Sequence, residues 1–230
     1  DSSAMLISDS KFAPALRALA AGTAALLLLF AGPARAASLD DALIAARMGD
    51  TKEIVKLVER GLDVDTVDPN GNSLLILAAR EGKGATVRAL IERGARLDYR
   101  NRAGDSALML AVLKDEREVA GLLIDAGASL NHEGWAPLHY AAFEGRVELL
   151  DRLLAAGADP EALAPNKSSP LMLAARNGHI EIVRRLLALP VNLEQVNDAG
   201  FDAERWALSN ANTDIAELIR MERARRQGGR

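Results

Sequence analysis

Three histidines, no cysteine and a scatter of aspartates are what this 230-residue chain offers to chemistry. Without cysteine there can be no thiolate nucleophile, disulfide or thiolate-bound metal. His132 and His139 are close enough in sequence to share an ion, but no third ligand is indicated. Asp63, Asp65, Asp68, Asp98, Asp159 and Asp198 lack the alternating positions of a calcium loop and read as turn formers. No serine or acid stands in a nucleophile-elbow or phosphate-loop setting. The residues therefore indicate a non-enzymatic chain with no cofactor, no metal and no small-molecule substrate.

What positions the side chains is a period. Small residues opening a helix recur at Ala45, Ala78, Ala111, Ala141, Ala174 and Ala207, at intervals of 33, 33, 30, 33 and 33. Gly61, Gly94, Gly127 and Gly157 run in phase with them. Two markers sharing one period predict a stacked repeat, a binding scaffold rather than a catalytic pocket. Composition agrees: 49% hydrophobic and 26% charged is an ordinary folded balance, and only 3% is aromatic. A net charge of −4 gives no reason to expect nucleic acid as partner.

Each unit predicts two helices. Ser73, Ser106 and Ser169 stand as N-caps, and Pro137 sits at a first-turn position where its missing N–H is harmless. Second helices carry apolar residues on one face, such as Val87 with Leu90-Ile91 and Val183 with Leu186-Leu187. The glycines end those helices because a left-handed residue costs glycine little. Asp68-Pro69-Asn70-Gly71 and Asn101-Arg102-Ala103-Gly104 are turn chemistry.

Ala-Pro-Leu-His-Tyr-Ala-Ala at 136–142, Ser-Pro-Leu-Met-Leu-Ala-Ala at 169–175, Asn-Gly-His-Ile-Glu-Ile-Val at 177–183 and Gly-Ala-Asp at 157–159 resemble the ankyrin repeat. The resemblance covers about 38–221, as units 38–67, 68–100, 101–130, 131–163, 164–196 and 197–221. It implies an all-α solenoid of about six helix–turn–helix units with β-hairpin fingers, whose concave face of fingers and first helices binds a protein. It also implies structural roles for His139 and His179.

Several positions depart from that pattern. The finger entering unit four is three residues short, Lys167 replaces the glycine of the fifth finger, and Pro190 stands where a fifth glycine belongs. Pro190 cannot turn left-handed, so a distorted corner is expected there. The repeat histidine occurs once, at His139; Ile76, Met109, Met172 and Arg205 replace it, which predicts apolar packing in place of its hydrogen bonds. The polar groups Glu204, Arg205, Thr213 and Asp214 suit a terminal cap, and 222–230 reads as a basic, frayed tail.

The candidate contact residues follow. Tyr140 and Trp206 fill a slot held elsewhere by leucine and are expected in the core. Tyr99, Trp135, Phe143 and Phe201 lie where the resemblance implies partner contacts, with rim groups Arg80, Glu81, Arg102, Asp105, Glu144 and Asn177. Trp135 and Phe143 should form one patch; alternatively, the short finger lets Trp135 fold against unit three. The partner is expected to be a protein, and the chain a monomer.

Residues 1–36 lie outside the repeat. Lys11 and Arg17 precede an apolar run from Ala18 to Ala34, and Ala34-Arg35-Ala36 fits a signal peptidase. This predicts translation from Met5, export to a bacterial periplasm and cleavage after Ala36. The 17-residue run is short of the ~20 needed to span a bilayer, though retention would tether the chain to a membrane. A cytoplasmic regulator or secreted effector is the alternative.

Overall fold

The computed structural model describes residues 32–228, and the expected leader therefore falls almost wholly outside the described residues. Twelve helices follow one another: α1 (Gly32–Met48), α2 (Thr51–Glu59), α3 (Leu74–Arg80), α4 (Gly84–Glu92), α5 (Ala107–Leu113), α6 (Arg117–Asp125), α7 (Pro137–Glu144), α8 (Val147–Ala155), α9 (Pro170–Arg176), α10 (Ile180–Leu187), α11 (Ala203–Ser209) and α12 (Thr213–Gly228). No described helix is long and apolar enough to cross a membrane. A unit boundary falls between Asp41 and Ala42, and every helix pair from α3 to α12 belongs to the unit that follows it.

Within that second unit the helices form two rows. α3, α5, α7, α9 and α11 pack in succession as a first row; α2, α4, α6, α8, α10 and α12 form the other. The division follows from sequence. Of the first-row helices, α3, α5 and α9 are short and almost wholly apolar, as in Leu74-Leu75-Ile76-Leu77-Ala78-Ala79, all six of which are buried, whereas the terminal α11 buries only Ala203 and Ala207. Second-row helices are one-sided: α10 buries Ile182, Val183, Leu186 and Leu187. Each such side chain contributes ~1.5–3 kcal/mol by leaving water. Ala78, Ala111, Ala141, Ala174 and Ala207 are fully buried, so nothing larger than a methyl separates neighbouring first helices at those points.

Gly61, Gly94, Gly127 and Gly157 adopt φ of 97°, 79°, 88° and 97°. Their N–H groups return to Val58, Ile91, Ile124 and Leu154 carbonyls at 2.9–3.0 Å. Pro190 has no N–H to return, and the equivalent carbonyl, that of Leu187, takes its hydrogen bond from Arg226 instead. The Arg226 guanidinium donates to Leu187 O at 2.8 Å, Leu189 O at 2.9 Å and Val191 O at 2.6 Å. This changes the expectation of a frayed tail: α12 stays helical to Gly228 because its arginines complete the irregular corner. Arg223, beside it, pairs with Glu194, Asp202 and Glu204. Glu204 is thus a polar cap residue held by ion pairs.

The fingers are tight loops, without the strands of the expected β-hairpins. Among the described residues there is no strand, only an isolated antiparallel bridge between Val67 and Ser73. Two backbone bonds close each full tip: Asp68 N–H to Asn72 O (2.9 Å), Asn101 to Asp105 (3.0 Å), Ala164 to Ser168 (3.0 Å) and Asn197 to Phe201 (3.0 Å), with Gly71, Gly104, Lys167 and Gly200 N–H returning to Asp68, Asn101, Ala164 and Asn197 O at 2.8–2.9 Å. Side-chain oxygens of Asp68, Asn101 and Asn197 take the N–H groups two and four residues on, which a longer ladder would otherwise use. Lys167 holds the left-handed tip position at φ 60° despite its side chain.

Successive corners after the second-row helices are also tied by side chains. Asp65 accepts from Arg96 N–H (2.9 Å), Asp98 from Ser129 (2.7 Å), Asn131 from Asp159 (2.8 Å) and Glu161 from Asn192 (2.6 Å). Asp65 and Asp98, expected as turn formers, therefore act as clasps between units.

Candidate functional site

Helix α7 presents the part of the finger face that differs most from its neighbours. Its N-cap, Ala136, lacks a side chain able to accept a hydrogen bond, and His139 compensates. His139 Nδ1 accepts from Ala136 N–H at 3.0 Å, so Nε2 carries the proton and donates to Ala162 O at 2.9 Å. The ring is fully buried, and burial holds its pKa below the ordinary histidine value. Both nitrogens are engaged by backbone, which leaves neither for a metal. Among the described residues no cluster of three potential ligands occurs.

Met109 and Met172 replace this histidine with more than apolar packing. Each thioether sulfur accepts the N–H of its own N-cap serine at 3.5 Å, while that serine's hydroxyl accepts the methionine N–H at 3.3 Å. The polar role survives in a softer acceptor.

The short finger precedes α7. Asn131 spends its side chain on the clasp to Asp159, and no backbone bond closes the tip between Asn131 and Trp135. The Trp135 carbonyl instead accepts from Arg100 at 3.3 Å. Trp135 is half-buried, edge-on to His139 (5.6 Å between centroids, 80°) and to Tyr140 (6.2 Å, 61°). It neither stands free nor folds away into unit three.

Trp135, His139, Tyr140 and Phe143 together with Leu113 line an open recess of about 200 Å³. Phe143 is 39% exposed. Asn177 and His179 both donate to its carbonyl, at 2.7 and 2.8 Å, and so fix the end of α7. Asn177, expected as a rim group, thereby has a structural duty, as His179 does. Glu144, expected as a contact residue, pairs with Arg146 at 3.6 Å and is not among the residues lining the recess.

Tyr140 was expected in the core but is only half-buried. Its hydroxyl donates to Asp105 at 2.5 Å; burial and that carboxylate both push its pKa up. Trp206 is likewise half-buried, because Arg176 covers it at 5.0 Å. The leucine slot predicts an apolar side chain but not a lid, and at both positions the wider ring reaches the surface.

Of the expected contact residues, Trp135 and Phe143 come together in this recess. Arg80, Arg102 and Asp105 come together in a second one, of about 470 Å³, between the fingers of units two and three. Tyr99 and Phe201 join neither. Arg96 lies over Tyr99 at 5.0 Å and Arg205 over Phe201 at 5.5 Å, so each ring already carries a cation from its own chain. Leu113, His139 and Tyr140 were absent from the sequence-level set. Leu113 carried a signal: it occupies the slot of Arg80, Phe143 and Arg176 one unit along.

A family model described as ankyrin repeats (3 copies) matches residues 42–134, 98–164 and 138–225. No curated protein matches the chain. Most of the sequence thus satisfies the family pattern, and the helix pairs stack as that pattern requires. The chain belongs to the ankyrin repeat family, whose repeats are in general protein–protein interaction modules and typically non-catalytic.

Proposed function

We propose that this chain is a non-enzymatic scaffold that grips a partner protein across its fingers and first-row helices, with Trp135, Tyr140, Phe143 and Leu113 as the anchor. One observation carries the proposal. Tyr99, Phe201 and Trp206 each lie under an arginine of their own chain, whereas the Trp135–Tyr140–Phe143 cluster lines an open apolar recess. Exposed clustered aromatics raise the cost of remaining in water and supply hot spots when covered. An interface of ordinary size buries ~800 Å² per side, which three or four units can provide.

The setting we propose is a bacterial periplasm, supported by Lys11 and Arg17, the apolar run after them and the Ala34-Arg35-Ala36 pattern. Osmotic shock of cells expressing the tagged chain should release a species beginning at Ala37. Retention of the intact N-terminus in the cytoplasm would overturn the setting. Crosslinking in the same cells, with Phe143→Ala beside the unaltered chain, tests the anchor. A crosslinked partner retained undiminished by Phe143→Ala would refute it.

A further inference from the structure

The two recesses lie side by side and differ in chemistry. The apolar one has room for about one large side chain. The other carries the polar side chains of Arg80, Arg102, Asp105, Asn72 and Asn101 beside Ala103 and Leu110 in its lining. A common wall joins them, because Asp105 of the polar recess accepts the Tyr140 hydroxyl of the apolar one at 2.5 Å.

The charges beside this wall are unevenly satisfied. Asp105 is already a hydrogen-bond acceptor for Tyr140. Asn72 and Asn101 are bonded to each other at 2.8 Å, with Asn72 also on Asp68. Arg80 is tied to Glu81 through Nε alone, at 3.0 Å, which leaves its two terminal nitrogens. Arg102 and Lys114, both exposed, form no ion pair among the described residues. Lys114 directly follows Leu113 of the apolar recess. Cationic donors are therefore left over on the side of the aromatic cluster that faces units two and three.

We infer that the occupant is an extended peptide segment of a partner protein, with a large apolar side chain in the Trp135–Phe143 recess and a carboxylate at Arg80 and Arg102. The inference rests on the finger face being the partner site. Adjacent packed helices lie about 10 Å apart, and an extended chain covers ~3.3 Å per residue. One helix spacing separates the Arg102 unit from the apolar recess and two separate Arg80 from it, so the carboxylate and the apolar side chain stand about three to six residues apart. Paired guanidiniums favour a carboxylate over a neutral amide because the hydrogen bonds are charge-assisted. The apolar side chain supplies the burial.

Selection of random twelve-residue peptides on the full chain tests this. Selected peptides should share an Asp or Glu about three to six residues from Phe, Trp, Leu or Met, and changing that acid to its amide should weaken binding about tenfold. The double variant Arg80→Glu/Arg102→Glu should reverse the preference to Lys or Arg at that position while keeping the apolar requirement. Arg102→Glu alone, at an exposed site, gives the same reading should the double variant fail to fold. Peptides that depend on Phe143 but show no preference for a carboxylate would overturn the inference and leave the finger-face site standing. If no selected peptide depends on Phe143 or Trp135, the site itself falls.

Discussion

Arg226→Met isolates the contact between the last helix and the irregular corner of unit five. The substitution keeps the aliphatic stem and removes three N–H···O bonds, to Leu187, Leu189 and Val191 carbonyls, together with an i,i+4 ion pair from Nε to Glu222 that the Arg225 control also disturbs. A hydrogen bond from a charged donor contributes ~1.5–3 kcal/mol, but the Arg226 side chain is 27% exposed, and solvent competes. About 1 kcal/mol apiece gives a loss of ~3 kcal/mol, or a Tm lowered by roughly 6–12 °C in a chain of this size. Stacked repeats lose stability locally, so amide exchange should quicken first in α12 and around Val191. Arg225→Met is the control: that side chain is 73% exposed and bonds only Glu222, so it should cost under ~0.5 kcal/mol. Pro190→Gly completes a double-mutant cycle. In the unaltered chain it loosens the unfolded state and should destabilise by about 1 kcal/mol. In the Arg226→Met background it returns an N–H to Leu187 O, as the sister glycines do, and should recover about 1 kcal/mol. The reasoning is refuted if Arg226→Met melts with Arg225→Met, or if Pro190→Gly costs the same in both backgrounds.

Phe143→Ala should leave Tm within about 2 °C, since the ring is partly exposed, yet weaken partner or peptide binding more than tenfold. Trp135→Ala should cost an intermediate ~1–2 kcal/mol in chemical denaturation; a value near the 3–5 kcal/mol of a core tryptophan would mean that the ring is packed and not a contact. His139 carries a pH dependence whose sign is fixed by its lowered pKa. The unfolded chain takes up a proton near pH 6.5 while the folded ring resists, so stability is full above that pH, falls as the pH drops below it and levels off beneath the folded pKa. His139→Met, which copies Met109 and Met172, should flatten that part of the stability–pH curve. An unchanged slope would assign the dependence elsewhere.

The repeat period, the N-cap serines, the slim first helices and the four left-handed glycines could all be read directly from residue types. Each is set by local chemistry: a hydroxyl for a free N–H, a methyl where helices nest, no Cβ where φ is positive. The candidate site was legible as a neighbourhood, since Trp135 and Phe143 flank a shortened finger, but not as a shape. Tyr140 and Trp206 share a slot with leucines, and nothing in a single unit tells that their rings reach the surface. The arginines over Tyr99, Phe201 and Trp206 do occur within a few residues or one unit of them, but charge on a ring needs a distance that spacing alone does not supply.

By itself, then, the amino-acid order determined the family, the number of layers and the ends of the helices, because those depend on interactions within one repeat length. Tertiary structure alone decided which aromatic groups remain open, that Asp105 joins the two recesses, and that Arg226 stands in for the N–H that Pro190 lacks. Those contacts link residues about one repeat apart. Only stacking brings such residues within the few ångströms over which a hydrogen bond or a cation on a ring acts.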